Sequence, residues 1–152
     1  MKINSHNEWD TLKEVIVGKA ERRAVLGFSS PSPLSDEALK MLETCAREVY
    51  PESMIDEVNE DLEAFCAVLK DFGAKVLRPN GSDLGKIFST PNWCATGDDS
   101  YNMRDLHLVV GNTVIETPSQ EKHRYFEAGE LADIWYGYFD QGFRWIAAPR
   151  PK

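Results

Sequence analysis

The stretch YNMRDLHLVVGNTVIETP, residues 101–118, decides how this part of the sequence folds. It contains two runs of aliphatic and β-branched residues, 106–110 and 113–117, that are separated only by a Gly-Asn pair. Two such runs with a two-residue connection are typical of a β-hairpin, although Gly-Asn is a weaker turn signal than Asn-Gly. The pattern therefore predicts a hairpin that is preceded by the carboxylate of Asp105.

The segments on either side of this hairpin predict further strands and helices. Apolar residues recur at three- and four-residue steps in two segments before the hairpin and in one after it, as expected for helices with one buried face. Ser53 and Asp56 resemble a capping box at the start of the second helix. Short β-branched runs that end in glycine or proline predict strands. The predicted helices are residues 36–50, 53–72 and 119–141, and the predicted strands are residues 12–18, 74–79 and 143–149.

The order strand, helix, glycine, strand, proline occurs twice along the chain. The first copy runs from EVIVG to GAKVLRP and the second from HLVVG to GFRWIAAP. Two copies of one βαβ-type module predict a mixed α+β fold. Modules of this kind bury their inner faces only against neighbours, so two alone leave an uncovered face. We therefore expect the chain to self-associate or to bind a complementary chain.

Length and charge limit the classes of function. A chain of 152 residues suits a single domain. The net charge of −8 is concentrated in residues 36–63, where ten acidic residues face two basic ones, and such a block disfavours nucleic acid as a partner. The sequence has no apolar run of the roughly 20 residues that a membrane span needs, and nothing near residue 1 resembles a signal peptide. We expect a cytoplasmic protein that binds no membrane.

The cysteines and histidines give little support for a metal or redox site. Three cysteines, at positions 45, 66 and 94, form no CxxC pair, and the three histidines are isolated from one another. This argues against a disulfide framework and against zinc. The sequence also contains no phosphate-binding glycine motif, so we predict neither a metal nor another cofactor. An inert, half-buried thiol is the simpler interpretation of Cys94.

The charged residues around the hairpin are open to two interpretations. An aspartate before a strand, such as Asp105, is most often a turn or cap residue, but its carboxylate could also accept two parallel N–H bonds from a guanidinium group. Arg104 could neutralise it or merely be exposed. Arg124 and Glu127 lie three residues apart, a spacing that usually stabilises a helix surface. The indole rings of Trp9, Trp135 and Trp145 are expected in the core.

Five ordered blocks of the sequence together resemble the amidinotransferase family, which includes arginine:glycine, inosamine-phosphate and cyanotoxin-pathway amidinotransferases. The resemblance covers essentially the whole chain and, as a set, is highly specific. The blocks are NEWDTLKEVIVG (7–18), TPNW (90–93), RDLHLVVGNTVIETP (104–118), RYFE (124–127) and RWIAAPRPK (144–152).

The resemblance implies a fold and a size. The family has the pentein fold, a propeller of five ββαβ modules around a pseudo-fivefold axis. The chain would be an N-terminal portion of it, about two modules, with module 1 at about residues 7–79 and module 2 at about 80–152 of one domain, residues 1–152.

The resemblance also implies a role for Asp105, because the family holds the substrate guanidinium with the aspartate of its Arg-Asp block. Arg104, Arg124 and Glu127 would support it. The substrate of the completed enzyme would be L-arginine or another guanidino compound, and the amidino group would pass to an acceptor amine that is glycine-like or aminocyclitol-like. The catalytic cysteine, histidine and second aspartate belong to later modules, so we assign no catalytic residue here and expect the chain alone to be inactive.

Two departures from the family pattern and two alternative functions stand beside this interpretation. Met103 replaces the proline that commonly precedes the Arg-Asp pair, and Cys94 replaces an acid that often follows the aromatic residue of the TPNW block. The first alternative is a guanidine hydrolase of the same superfold, which would release citrulline. The second is a half-pentein that binds a partner or oligomerises without catalysis.

Overall fold

The computed structural model describes residues 2–21, 29–30, 35–47, 49–80, 87–96, 102–119 and 121–150, and all structural statements refer to these ranges. The strands are β1 (Glu14–Ile16), β2 (Ser29–Ser30), β3 (Lys75–Leu77), β4 (Ile87–Ser89), β5 (Cys94–Thr96), β6 (His107–Val110), β7 (Thr113–Glu116) and β8 (Arg144–Ala147). The α-helices are α1 (Asp36–Arg47), α2 (Glu52–Asp71) and α3 (Ala132–Tyr136). Short 3-10 turns cover Met103–Asp105, Lys122–Arg124, Glu127–Leu131 and Phe139–Gln141.

The predicted hairpin is confirmed and supplies two strands of a three-stranded sheet. Strands β6 and β7 pair antiparallel, and β8 adds to β7 in parallel, so that β7 lies between them. Val114 in the middle of β7 is completely buried. It packs in one cluster with Leu131 and Trp135 from the helical segment that follows, and this cluster is the main core of the chain.

A smaller sheet is formed by β1 and β3, which run parallel and are connected through α2. The predicted helices α1 and α2 are confirmed. The predicted capping box is absent, because Pro51 occupies the N-cap of α2 and no side chain caps the helix there. Ser53 therefore lies inside the first turn. Cys66 on the inner face of α2 is buried.

A third sheet, of order β2-β5-β4, was not predicted. The TPNW block, interpreted as part of a polar loop, is the turn that connects β4 to β5, with the amide of Thr90 donating to the carbonyl of Trp93 at 2.8 Å. Strand β2 pairs with the other edge of β5. This sheet therefore joins residues from both predicted modules.

The single helix predicted over residues 119–141 is wrong. The segment is a series of 3-10 turns around the five-residue helix α3. Glycines at positions 129 and 137 interrupt it, and each costs about 1 kcal/mol relative to alanine inside a helix. The apolar periodicity nevertheless marked the buried side correctly, since Ala128, Leu131 and Trp135 are in the core.

The repeat is present in the structure, but its predicted alignment needs correction. The parallel pair β1 and β3 corresponds to the parallel pair β7 and β8, so the counterpart of EVI is TVIE and not HLVV. In both units a glycine with left-handed backbone precedes the last strand, Gly73 with φ of 84° and Gly142 with φ of 74°. Residues with a Cβ atom rarely adopt this conformation, which explains glycine in both copies.

Several apolar side chains lie on the surface. Trp9, expected in the core, is 84% exposed, whereas Trp135 is buried as predicted. Leu108, Val110 and Ile146 cover the outer face of the hairpin sheet and are each about half exposed. These three side chains form an apolar surface on this sheet, and the covering of the module faces by a partner stays a prediction. Within the described ranges no helix is long and apolar enough to span a membrane.

Candidate functional site

Asp105 lies at the end of a 3-10 turn that leads directly into β6. Its backbone is fixed from both sides: its amide donates to the carbonyl of Asn102 at 3.2 Å, and its carbonyl accepts a 2.6 Å hydrogen bond from the hydroxyl of Thr117. The side chain remains 41% exposed. The hairpin thus holds the main chain rigidly while the carboxylate faces solvent.

The sequence-predicted site residues meet in a chain of ion pairs. Arg124 donates from Nη1 to Oδ2 of Asp105 at 3.2 Å and from Nε to Oε2 of Glu127 at 3.0 Å. Arg104, whose side chain is 87% exposed, lies with its Nε atom 3.5 Å from Oδ1 of Asp105. All four candidates therefore come together, although 19 residues separate Asp105 from Arg124.

Glu127 is completely buried, so the interpretation of Arg124 and Glu127 as a helix-surface pair is wrong. Burial acts to lower the pKa of Arg124, but the carboxylates of Glu127 and Asp105 outweigh it and raise the pKa above its ordinary value. The guanidinium is therefore a permanent cation that links a buried carboxylate to an exposed one. Through these two contacts Arg124 orients the carboxylate of Asp105 from its protein side.

An aromatic cluster connects this ion-pair chain to the β4–β5 turn. The ring of Trp93, only 3% exposed, lies 5.1 Å from the ring of Tyr125 and 6.4 Å from that of Phe126. Phe88 of β4 contacts Phe126 at 5.0 Å. Because Tyr125 and Phe126 lie between Arg124 and Glu127 in sequence, packing against Trp93 fixes the backbone that carries both charged groups.

A second ion pair, between a buried glutamate and a partly buried arginine, lies nearby and was missed by the sequence analysis. Glu116 is the last residue of β7, and its buried side chain pairs with Arg150, which follows β8. Arg150 also donates to the carbonyl of Tyr125 at 2.9 Å and stacks on its ring at 4.9 Å. The signal was available, because strand alternation places Glu116 on the same face as buried Val114, and a buried carboxylate needs a cation.

A cavity of about 640 Å³ lies beside the site rather than at it. Arg104 and His107 line it, whereas Asp105 does not. His107 packs against Trp135, with ring centroids 5.2 Å apart. Burial, aided by the positive charge of Arg150, lowers the pKa of His107 to about 4. The imidazole is therefore neutral at pH 7.

The described side chains form no metal site, and the two cysteines whose side chains are described are buried. No group of three or more His, Cys, Asp or Glu side chains within them could hold a metal ion. Cys66 and Cys94 are each 1% exposed, so Cys94 is more deeply buried than the half-buried thiol that was expected. Cys66 accepts a hydrogen bond from Arg78 at 2.9 Å. Neither sulfur can meet a substrate that arrives from solvent.

Comparison with known sequences gives a consistent result. No protein-family model matches the chain. Inosamine-phosphate amidinotransferase 1 of Streptomyces griseus is 34% identical over 159 residues, which cover 99% of this chain and 44% of that protein. The mitochondrial glycine amidinotransferase of Gallus gallus is 35% identical over 151 residues, which cover 98% of this chain and 36% of that protein. The chain spans less than half the length of these curated relatives.

Solved structures agree. An amidinotransferase of the saxitoxin biosynthetic pathway from Microseira wollei matches 99% of this chain with a TM-score of 0.82 and 38% identity, over 42% of its own length. The inosamine-phosphate amidinotransferase structure from Streptomyces griseus matches 99% of this chain with the same TM-score and 35% identity, over 44% of its length. The chain therefore has the fold of part of these proteins.

Proposed function

Because this chain belongs to the amidinotransferase family, in which it matches an N-terminal portion, we propose that it forms the guanidinium-binding part of an enzyme that transfers the amidino group of L-arginine to an acceptor amine. One observation carries the proposal: the exposed carboxylate of Asp105 is held from behind by Arg124, which is itself anchored on the buried Glu127. The chain would contribute about two modules of a pentein, residues 7–79 and 80–152.

The chemistry of Asp105 suits a guanidinium ligand. A carboxylate has about four acceptor positions, and Arg124 uses only one oxygen for its contact at 3.2 Å. Acceptor positions remain for the two parallel N–H groups of a substrate guanidinium. Arg104 lies at the exposed side of the carboxylate, where it can move aside because its side chain is 87% exposed. In this proposal Arg124 and Glu127 position Asp105 and do not touch the substrate.

The covalent chemistry falls to residues outside this chain. In the mechanism that the family resemblance implies, a cysteine thiolate attacks the guanidinium carbon, ornithine leaves with a proton, and the acceptor amine then displaces the thiolate. We place none of these catalytic groups in residues 1–152, and the burial of Cys66 and Cys94 supports this. The 152 residues alone are therefore proposed to have no amidinotransferase activity. The acceptor, glycine-like or aminocyclitol-like, is left open.

A chimera tests this proposal. Residues 1–152 are followed by the part of the Streptomyces griseus inosamine-phosphate amidinotransferase 1 that they do not match, and ornithine release from L-arginine is measured with glycine or an aminocyclitol. The expected result is acceptor-dependent ornithine release by the chimera and none by the 152-residue chain. A folded chimera that releases no ornithine, when the parent enzyme does, would contradict the proposal. Citrulline release would support a guanidine hydrolase instead.

A binding role without catalysis is the second candidate, and one observation favours it. Leu108, Val110 and Ile146 form an apolar patch on the outer face of the hairpin sheet. In the absence of a covering partner, such a patch favours self-association or binding of a complementary chain. Sedimentation of the 152-residue chain across a concentration series tests this, and a monomer at every concentration would count against it.

A further inference from the structure

Arg150 connects the end of β7 to the segment that carries Arg124. Its Nη2 atom pairs with the buried carboxylate of Glu116, the last residue of β7. Its Nη1 atom donates to the main-chain carbonyl of Tyr125 at 2.9 Å, and its Cζ atom lies 4.9 Å from the centre of the Tyr125 ring. Because the guanidinium is planar and rigid, these contacts together fix the position of Tyr125 relative to β7.

The end of β7 also fixes the main chain of Asp105. The hydroxyl of Thr117, the residue after Glu116, donates to the carbonyl of Asp105 at 2.6 Å. Two successive residues of the chain therefore act on the candidate site by two routes. Thr117 holds Asp105 directly. Glu116 acts through Arg150 on Tyr125.

The two routes meet at the carboxylate of Asp105, because Arg124 directly precedes Tyr125 and donates to Oδ2 of Asp105 at 3.2 Å. We propose that Arg150 is a positioning residue of the guanidinium site. By holding Tyr125, it sets where the guanidinium of Arg124 meets the carboxylate of Asp105, and it does not itself touch the substrate. The ligand of Asp105 rests on the proposed function, whereas the positioning rests on the contacts alone.

The ion pair between Arg124 and Asp105 needs support from its surroundings. The side chain of Asp105 is 41% exposed, and an exposed ion pair contributes little to holding its own geometry. Glu127 binds Nε of Arg124 at 3.0 Å, but it belongs to the same segment and so fixes the arginine only within that segment. Trp93 packs on the aromatic residues of the segment from the β4–β5 turn, which belongs to another sheet. Arg150 supplies a contact between the segment and the strand end that holds Asp105.

Loss of this contact should move Arg124 and leave the carboxylate of Asp105 free to rotate. A displacement of about 1 Å in a positioning group can cost about 100-fold in rate. Because Thr117 still holds the main chain of Asp105, the displacement is limited to the side chain. We therefore expect a loss of about ten-fold in kcat/KM for L-arginine.

A double variant separates positioning from stability. Arg150→Met alone leaves the buried Glu116 without its cation and destabilises the chain, whereas Arg150→Met with Glu116→Gln leaves no uncompensated charge and should keep a higher Tm. Both variants lose the contact with Tyr125. In the chimera described above, we expect kcat/KM for L-arginine to fall about ten-fold in both of them. Recovery of kcat/KM together with Tm in the double variant would show a purely structural role and overturn the proposal.

The Asp105→Asn background tests whether Arg150 acts through Asp105. If it does, the double variant should lose no further kcat/KM once Asp105→Asn has been made. Losses that multiply would overturn the proposal. Arg144→Met is the matched control, because Arg144 is an exposed arginine at the start of β8, and it should keep the kcat/KM of the parent chimera.

Crystal structures of the 152-residue chain and of its double variant decide the inference without any activity. The distance from Nη1 of Arg124 to Oδ2 of Asp105 is 3.2 Å. In the double variant it should exceed about 3.5 Å, with the hydrogen bond from Thr117 to Asp105 retained. An unchanged distance would overturn the proposal. A lengthened distance beside an inactive parent chimera would contradict only the proposed function.

A second variant covers the case in which the double variant does not fold. Arg150→Met with Glu116→Leu then takes its place, because apolar side chains of similar volume often replace such a pair without loss of stability. The expected results and the results that would overturn the proposal are the same.

Discussion

Two arginines, Arg150 and Arg124, each pair with a buried glutamate, and they differ in the second group that the guanidinium contacts. Arg150 pairs with Glu116, and its remaining contacts are the carbonyl and ring of Tyr125, so all its described partners are groups of the folded core and none is an exposed carboxylate. Arg124 pairs with the completely buried Glu127, and its other contact is the exposed carboxylate of Asp105. The first arrangement joins β7 to the segment that follows β8. The second transmits the rigidity of the core to a carboxylate that solvent can reach, which is what a binding site needs.

The largest effect on stability is expected from Arg124→Met. This change removes the cation beside Glu127, whose side chain is fully buried, and loss of one partner of a buried pair costs about 3–5 kcal/mol. Urea denaturation of the 152-residue chain measures the loss. A change below 1 kcal/mol would mean that Arg124 does not support the core and only lies near it. Arg104→Met is the matched control, with an expected change within about 0.5 kcal/mol because Arg104 is exposed.

Arg150→Met should destabilise the chain somewhat less, by about 2–3 kcal/mol, because both members of its pair retain some contact with solvent. The double variant Arg150→Met with Glu116→Gln should recover part of this loss, since no uncompensated charge then remains. Differential scanning calorimetry of the single and double variants tests the coupling. Simple additivity of the two single changes would show that the two side chains do not act as a pair.

The pH dependence of stability distinguishes the interior from the site. The pKa of His107 is lowered to about 4 in the folded chain, whereas the unfolded chain has the ordinary value of 6.5. Between these values the unfolded state binds the extra proton, so stability is fully present above about pH 6.5 and falls as the pH decreases toward 4. Between pH 7 and pH 5 we expect the free energy of unfolding to fall by about 1 kcal/mol, a modest value because His107 is partly exposed. The His107→Gln variant should not show this fall. Identical pH profiles of Tm for the two proteins would contradict this.

The smallest effect on stability is expected at Asp105, the exposed end of the ion-pair chain. Asp105→Asn keeps the size of the side chain, and the carboxylate that it removes is 41% exposed, so the free energy of unfolding should change by about 0.5 kcal/mol or less. Chemical denaturation at pH 7 measures it. A loss above 2 kcal/mol would show that the Asp105 carboxylate stabilises the fold. The ion pairs of Arg124 and of Arg150 would then not differ in the way described above.

Local patterns predicted the parts of the fold that depend on local interactions. The hairpin and helices α1 and α2 follow from turn chemistry and periodicity, and all three are present. The β2-β5-β4 sheet could not be predicted in the same way, because β2 has two residues and pairs with a strand more than sixty residues away. The glycines within residues 119–141 indicated that this segment is not one continuous helix. The prediction followed the apolar periodicity and gave the glycines too little weight.

The candidate site was predicted in composition but not in geometry. The family resemblance pointed to Asp105, Arg104, Arg124 and Glu127, yet spacing alone could not bring Arg124 to Asp105, because that contact depends on the turns around Phe126 and on packing against Trp93. Arg150 was missed for the same reason, since its partner lies 34 residues away. The cytoplasmic location stays a prediction.

The most direct test of the account is the ratio kcat/KM for L-arginine in the chimera, with Asp105→Asn compared with Asp140→Asn. Both residues are exposed aspartates of the same half of the chain, but only Asp105 belongs to the ion-pair chain. The account predicts a loss of about 10- to 100-fold for Asp105→Asn, as expected when hydrogen bonds to a charged group are weakened, with an unchanged Tm and no loss for Asp140→Asn. Equal activity of the two variants would contradict the role of Asp105 in holding the guanidinium.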